Sequence, residues 1–469
     1  MDNLSHSVSG LAAGELLHRC LKPEADRGQQ RVRRRLLLFS AWAANNVPDL
    51  DFLLAPLLPR PLGYLLYHRG HTHTLLYALP QAILLMAMIW LAWPAARKLM
   101  RHSRSARRGA LLAIGLGFAL HLLMDYLNSY GIHPFHPFDS RWLYGDMVFI
   151  IEPLFWVVFG VPMAMMVPRR PLKIFLLAVL TGVPLFFTVQ GFLSWSSLAV
   201  LVLGAALFGW LQHRSRAADR RTLLGSFGVS IAFVALQAYG SAQGKRIVAN
   251  AIQRGDFTVV DVSMSAFPAN PLCWSFVSVE RREAAGSYAL RRGILSLVPG
   301  LLPATQCAPG FSAGPFAPGV MPAMAFQAQY VGRLDVLRTL KESNCHAEAW
   351  LRFVRAPWLG DSAAWDLRFG ERPDNNFTTM RYEDFKNRPC PRYVPQWSFP
   401  RSDLLAPPNR QAQSSRPASS ASLSRPMQPV NHSPMPIRIT SSADQPSGPL
   451  AIRAVSRSDC WSPLDMTKK

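Results

Sequence analysis

Uncharged apolar runs long enough to cross a bilayer constrain this chain more than any other feature. A helix needs about 20 apolar residues to span the hydrocarbon core. Thr74 to Ala96, Ile174 to Ser194 and Leu223 to Gln243 reach that length with no charged residue. Ser194 to Gln212 is slightly shorter and also uncharged. Ala110 to Met124 carries His121, and Met147 to Pro168 carries Glu152. Val8 to Leu21 and Leu36 to Val47 are shorter and read as half-inserted or tilted helices. This layout excludes a uniform soluble globule, a coiled coil and a wholly disordered chain. The opening MDNLSHSVSG has neither the basic leader nor the cleavage site of a signal peptide.

A net charge of +22 raises the question of nucleic acid. The cations, however, sit in short clusters between apolar runs, which points to the inner face of a membrane and to no nucleic acid. The loops 22–35, 97–108, 169–173 and 214–221 carry nineteen Lys and Arg, against three (Arg60, Arg69, Arg141) in the alternate loops. This asymmetry assigns the first set to the cytoplasm and sends the chain from residue 245 outside. His6, Asn46, Asp49, Asp51, His68, His71, His73, His121, Asp125, Asn128 and Asp146 then all fall at the outer end of the bundle.

The expected fold is mainly α. Residues 1–244 form a polytopic helical membrane domain, 245–400 a small extracytoplasmic α+β domain, and 401–469 a disordered Ser/Pro/Arg-rich tail. In the second part, Phe257 to Ser263, Trp274 to Glu280, Ser287 to Arg292, Trp350 to Arg355 and Ala364 to Phe369 read as strands, and Val331 to Ser343 as a helix. Cys273, Cys307, Cys345 and Cys390 fall there, where an oxidising compartment permits disulfides. Four cysteines allow three pairings, and the sequence does not choose among them. Without a Cys-x-x-Cys pair, zinc binding by these cysteines is disfavoured.

Three groups carry chemistry. His121 and Asp125, at i and i+4 of a helix, share a face with Asn128 one turn on; they can bind one metal, or the carboxylate can orient the imidazole. His68-Arg69-Gly70-His71-Thr72-His73 places three imidazoles around a glycine that permits a tight turn; in an extended chain His71 and His73 would point the same way. Asn45-Asn46-Val47-Pro48-Asp49-Leu50-Asp51 ends a helix at Pro48 and sets two carboxylates two residues apart. The bland readings are an interfacial helix end, a polar loop and an ordinary Asn/Pro/Asp turn. His6 gains weight only beside the others. Glu152 has no assigned role.

Taken in order, His6-Ser7-x-x-Gly10, Asn46-Val47-Pro48-Asp49-Leu50-Asp51, His68-Arg69-Gly70-x-Thr72-His73 and His121-x-x-x-Asp125-x-x-Asn128-x-x-Gly131 resemble the YdjM family of bacterial inner-membrane proteins, commonly described as membrane-bound metal-dependent hydrolases. The likeness spans roughly residues 1–160. It implies a multi-pass inner-membrane protein with His6, Asp49, His68, His73, His121 and Asp125 as metal-site residues, and His71 at a variable position. A more distant likeness is to zinc-dependent phospholipase C and P1-type nucleases. This chain has no second His-x-x-x-Asp or His-x-x-x-Glu helix downstream, so one or two divalent ions, zinc foremost, are expected rather than three.

With a metal bound, Asp49 or Asp125 would accept a proton from water, and Arg69 would either hold an anionic substrate or anchor the interface. The leading reading is a metal-dependent hydrolase at the outer face of the inner membrane, acting on a phosphoester or lipid-linked substrate, with membrane lipid as its partner. The alternative is a non-catalytic membrane regulator or scaffold with a structural metal. A transporter would need ionisable groups near mid-bilayer and a paired repeat, and neither is evident.

Overall fold

The computed structural model describes residues 1–215, 219–253, 257–282, 284–307, 309–311, 316 and 322–406. Residues 1–406 form one compact unit. Most of the tail expected to be disordered, 407–469, lies outside the described residues. Its first stretch is ordered: Ser402–Leu405 makes a helical turn with Leu404 buried.

Five helices among the described residues are long and apolar enough to cross a membrane: Leu75–Ala92 (α4), Arg104–Tyr126 (α6), Arg170–Val189, Trp195–Arg214 and Arg221–Ile252. They coincide with five of the uncharged or nearly uncharged runs. The sixth does not span. Residues 147–152 are irregular, with bends, and only Pro153–Met165 is helical, with a π turn at Trp156–Gly160. The stretch is apolar because Met147, Val148 and Ile151 pack into the bundle core, and Pro153 starts the helix late.

Asn3–Cys20 (α1) and Arg27–Ala44 (α2) are full helices, started by Asp2 and Asp26 side chains that accept from the backbone N–H of Ser5 and Gln29. They pack against each other and against α6 through small residues. A Cβ added at Gly10 would lie 2.9 Å from the Ala41 carbonyl oxygen, and one at Gly117 would lie 2.7 Å from the same oxygen. Gly10 is one turn beyond His6, and Gly117 one turn before His121. These close approaches therefore bring both histidines to the end of α2, where Asn45 stands.

After α2 the chain runs as a 3-10 segment, Val47–Leu57, then Leu62–Tyr67 (α3), a 3-10 turn at His71–His73, α4, the amphipathic Pro94–His102 (α5) and α6. The His71–His73 turn replaces the extended geometry expected there, so these two imidazoles do not share a side.

The remainder of the described chain is an antiparallel meander, Thr258–Phe267 (β1), Asn270–Arg282 (β2), Ser287–Ser296 (β3) and Met324–Arg333 (β4), with a smaller sheet of Pro357–Leu359 (β5), Ala363–Asp366 (β6) and Met380–Arg381 (β7). β1 to β3 cover the first three expected strands, Phe257 excepted. Ala364 to Phe369 is strand only as far as Asp366, whose side chain accepts from the Arg368 N–H and turns the chain into a 3-10 turn at Leu367–Phe369. Two further expectations fail. Val331 to Ser343 divides between the end of β4 and the helix Leu334–Ser343, and Trp350 to Arg355 is no strand, because the helix Cys345–Leu351 runs into it. A short buried apolar run does not distinguish strand from helix end. Disulfides join Cys273 to Cys307 and Cys345 to Cys390.

The core of the sheet region is continuous with the membrane part. Leu62, Leu65 and Leu66 of α3, with Tyr130 and Trp142, share one buried cluster with Val279, Trp350, Phe353 and Trp397. Trp397 donates its indole N–H to the Leu66 carbonyl oxygen at 2.8 Å, and Arg368 donates to that of Ser129 at 2.6 Å. The sheet region thus clamps the two loops that carry the His and Asn motifs.

Candidate metal centre

Three separate segments deliver four ligand atoms to one place. Asp49 comes from the 3-10 segment, His73 from the turn before α4, and His121 and Asp125 from the last turns of α6. Their ligand atoms all lie within 4.8 Å of one another. His73 Nε2 is 3.1 Å from Asp125 Oδ2 and 3.4 Å from Asp49 Oδ1. His121 Nε2 is 3.5 Å from Asp125 Oδ2 and 2.9 Å from His73 Nε2. The His73, His121 and Asp125 side chains are fully buried, whereas that of Asp49 is 11% exposed.

The far side of each imidazole is fixed. His121 Nδ1–H donates to the Asn45 carbonyl oxygen at 3.0 Å, and His73 Nδ1–H to Asp51 Oδ2 at 3.1 Å. Both rings therefore aim an Nε2 lone pair inward, the tautomer a metal ligand needs. Two such lone pairs at 2.9 Å repel unless a proton or a cation lies between them. His73, outside the spans, shows the same demand: burial pulls its basicity down, but Asp125, Asp49 and Asp51 hold it well above that of an ordinary imidazole. Asp49 Oδ2 and Asp125 Oδ2 are buried without a hydrogen-bond partner. Buried carboxylate oxygens are costly in that state and are normally paired or bound to metal. The residues present fit a divalent cation, with two imidazoles and two carboxylates as its holders.

His6 stands at the edge. Its ring stacks on His121 at 4.3 Å, Nδ1–H faces Asn45 Oδ1 at 3.3 Å, and Nε2 is 3.4 Å from Asp125 Oδ1 and lacks a hydrogen-bond partner. His68 lies on the other side of Asp51, donating Nδ1–H to Oδ1 at 2.9 Å, and is outside the group of four. His71 is further out, beside His136 and Trp397.

Arg69 is buried, in the left-handed region at φ 58°, with its guanidinium on Asp125 Oδ1 at 2.9 Å and Asn128 Oδ1 at 2.8 Å. Its charge is engaged by the cluster itself. Asp125 also contacts the Met1 amino group. Asp146 is outside the centre, bound to Arg355 and Lys245. Glu152 accepts from the backbone of Leu154 and Ala269.

Two residues support the centre from behind: Asn45, which the sequence did not single out, and Asp51, which it offered as a carboxylate beside Asp49 and which lies outside the group of four. Asn45 fixes His121 through its carbonyl and faces His6 with its side chain. Asp51 sits behind His73 and also accepts from Thr72 Oγ1 at 2.7 Å and the Arg69 N–H at 2.9 Å. Their place inside the Asn-Asn-Val-Pro-Asp-Leu-Asp string is the only sequence signal for them.

Fold and site together define a multi-pass membrane protein with a buried His/Asp cluster at one end of its bundle. Residues 1–195 match the family model described as YdjM inner membrane protein, so the likeness carried by the four motifs extends through three of the five spans, and the chain is a multi-pass inner-membrane protein. A relative from Bacillus subtilis (strain 168), described as the uncharacterized protein YfhP, is 26% identical over 157 residues, covering 34% of this chain. The chain spans 43% of the length of that relative. No solved structure matches this chain.

Proposed function

We propose that the chain is a metal-dependent hydrolase of the inner membrane, acting at its outer face on a phosphoester or lipid-linked substrate. The observation that carries this reading is the convergence of Asp49, His73, His121 and Asp125, with each imidazole locked at Nδ1 and two carboxylate oxygens left without partners. Asp49, His73, His121 and Asp125 would hold a divalent ion, whose chemistry would be to lower the pKa of a water and polarise a phosphoryl or acyl oxygen. Asp49, the one of the four side chains that reaches the surface, would be the proton acceptor. Arg69 positions Asp125, and Asp51 and Asn45 hold the imidazoles in register. The disulfides and the loop charges support an outer location.

The test is metal analysis of the purified protein beside His121→Ala and Asp49→Ala, with a phosphodiesterase and phospholipase substrate panel. Wild type is expected to carry stoichiometric metal and both variants to lose most of it; equal content in all three removes the site. Bound metal with no turnover on any substrate favours a scaffold with a structural ion, a reading that the burial of three of the four side chains also favours. A reporter fused after residue 245 that is active on the cytoplasmic side contradicts the topology.

A further inference from the structure

The segment that supplies Asp49 has two unlike faces. Asp49 and Asp51 turn into the protein, while Leu50, Phe52, Leu53, Leu54 and Leu57 are 42–64% exposed. Five large apolar side chains on eight consecutive residues are too many for a water-facing loop of a folded protein. The segment is not loose: a Cβ on Gly63 of α3 would lie 1.8 Å from the Ala55 carbonyl oxygen, so α3 is packed directly on its backbone. It also packs against the start of α4, whose Leu75, Leu76 and Leu79 are exposed to a similar degree. The apolar face is therefore continuous with the lipid-facing surface of a span.

A second observation fixes its depth. Trp and Tyr gather where a protein surface crosses from hydrocarbon to water. Three independent elements place one here, each about 40% exposed and each touching a motif residue. Trp42 of α2 donates to Ser7 Oγ at 3.0 Å, Tyr64 of α3 stacks on His68 at 4.8 Å, and Tyr77 of α4 meets the His71 ring at 5.6 Å.

We propose that Val47–Leu57 lies in the membrane leaflet next to the site, its apolar face among the acyl chains, so that the cluster sits at head-group depth and takes the polar head of a membrane-embedded amphiphile past Asp49. The placement stands on the segment alone; the choice of a lipid substrate rests on the metal-hydrolase reading.

The experiment uses the full chain with Cys20→Ser and Cys460→Ser, reconstituted in vesicles of phosphatidylcholine and phosphatidylglycerol. A nitroxide on Leu53→Cys is compared with one on Leu79→Cys in α4 and one on Arg141→Cys in an exposed loop. The label at 53 is expected to be relaxed by oxygen more than by a water-soluble nickel chelate, as at 79. Relaxation dominated by the chelate, as at 141, overturns the placement. In parallel, the wild-type chain is irradiated with phosphatidylglycerol carrying a diazirine on its head group. Adducts are expected on Asp49, Tyr64 or His68; adducts confined to other sites, or none, overturn the route to the cluster. Metal content of the same preparations separates the two readings. Metal held with Leu53 in water sinks the placement alone, whereas Leu53 in lipid with no metal bound sinks the hydrolase reading alone.

Discussion

Two clusters of buried charge stand near each other in this protein, and they are built in opposite ways. Around Arg355 every charge is answered. Its guanidinium makes two bonds to Asp146 at 2.9 Å and two to Asp261 at 2.6 and 2.8 Å, and Lys245 adds a bond to Asp146 at 2.7 Å. Around His73 and His121, carboxylate oxygens and an imidazole nitrogen are buried with no partner. A saturated network holds segments together: here the loop after α6, the helix Arg221–Ile252, β1 and the chain after Cys345–Leu351. A network with inward-facing acceptors left over could hold a cation.

The largest effect expected from breaking this contrast is on stability. Arg355→Ala leaves Asp146 and Asp261 buried with weaker partners, at a cost of about 3–5 kcal/mol. The expected outcome is a lower midpoint in thermal unfolding and faster proteolysis of the sheet region, with metal content unchanged while the chain stays folded. Loss of metal at temperatures where the fold persists would show that the two clusters are coupled rather than separate. Asp261 sets the direction with pH. Burial alone would raise its carboxyl, but Arg355 and Arg401 hold it well below the usual carboxylate range. Its contribution is therefore present at neutral pH and is lost only as the solution becomes strongly acidic.

A smaller effect sharpens the other cluster. Asp51 touches no position where an ion would sit, yet it fixes His73 from behind. Removing such a partner commonly costs 10–100-fold in metal affinity. Asp51→Asn is expected to fall in that range by competition with a chelator. His68→Ala, on the opposite oxygen of the same carboxylate, is expected to lose less than about tenfold, since its ring orients Asp51 rather than the centre. A His68→Ala loss as large as that of His73→Ala would mean that His68 is a ligand and that the arrangement of the four is incomplete.

Much of this was legible in the chain before any coordinates. The spans follow from charge-free runs, and the site follows from the His and Asp motifs, since α6 puts His121 and Asp125 on one face whatever else the fold does. The division of labour within the His68–His73 string was not legible. It depends on Arg69 adopting φ 58° and on a 3-10 turn at His71–His73, which set His68 and His73 on opposite oxygens of Asp51. Nor did hydropathy reveal that Met147 to Ile151 is apolar for packing rather than for spanning. The role of Arg69 was open between substrate and membrane; the fold spends its guanidinium on Asp125 and Asn128 instead, a contact 56 residues or more distant in the chain that no local pattern encodes.

The smallest effect concerns Glu152, a buried acid that belongs to neither cluster. Burial pushes its carboxyl up to about 8, although the backbone N–H groups of Leu154 and Ala269 pull the other way. A folded-state value raised above the ordinary 4.5 means that the fold prefers the protonated acid. The stabilisation is then fully present below 4.5 and drains away as pH rises toward 8. Wild-type melting temperature is expected to fall across that window relative to Glu152→Gln, which keeps an uncharged acceptor for the same two N–H donors. The difference between the two chains, read by intrinsic tryptophan fluorescence, isolates this group from the histidines that titrate alongside it. Parallel profiles for wild type and variant would mean that Glu152 stays ionised, held by Leu154 and Ala269 as a fixed acceptor, and that its burial is answered as fully as that of Asp146.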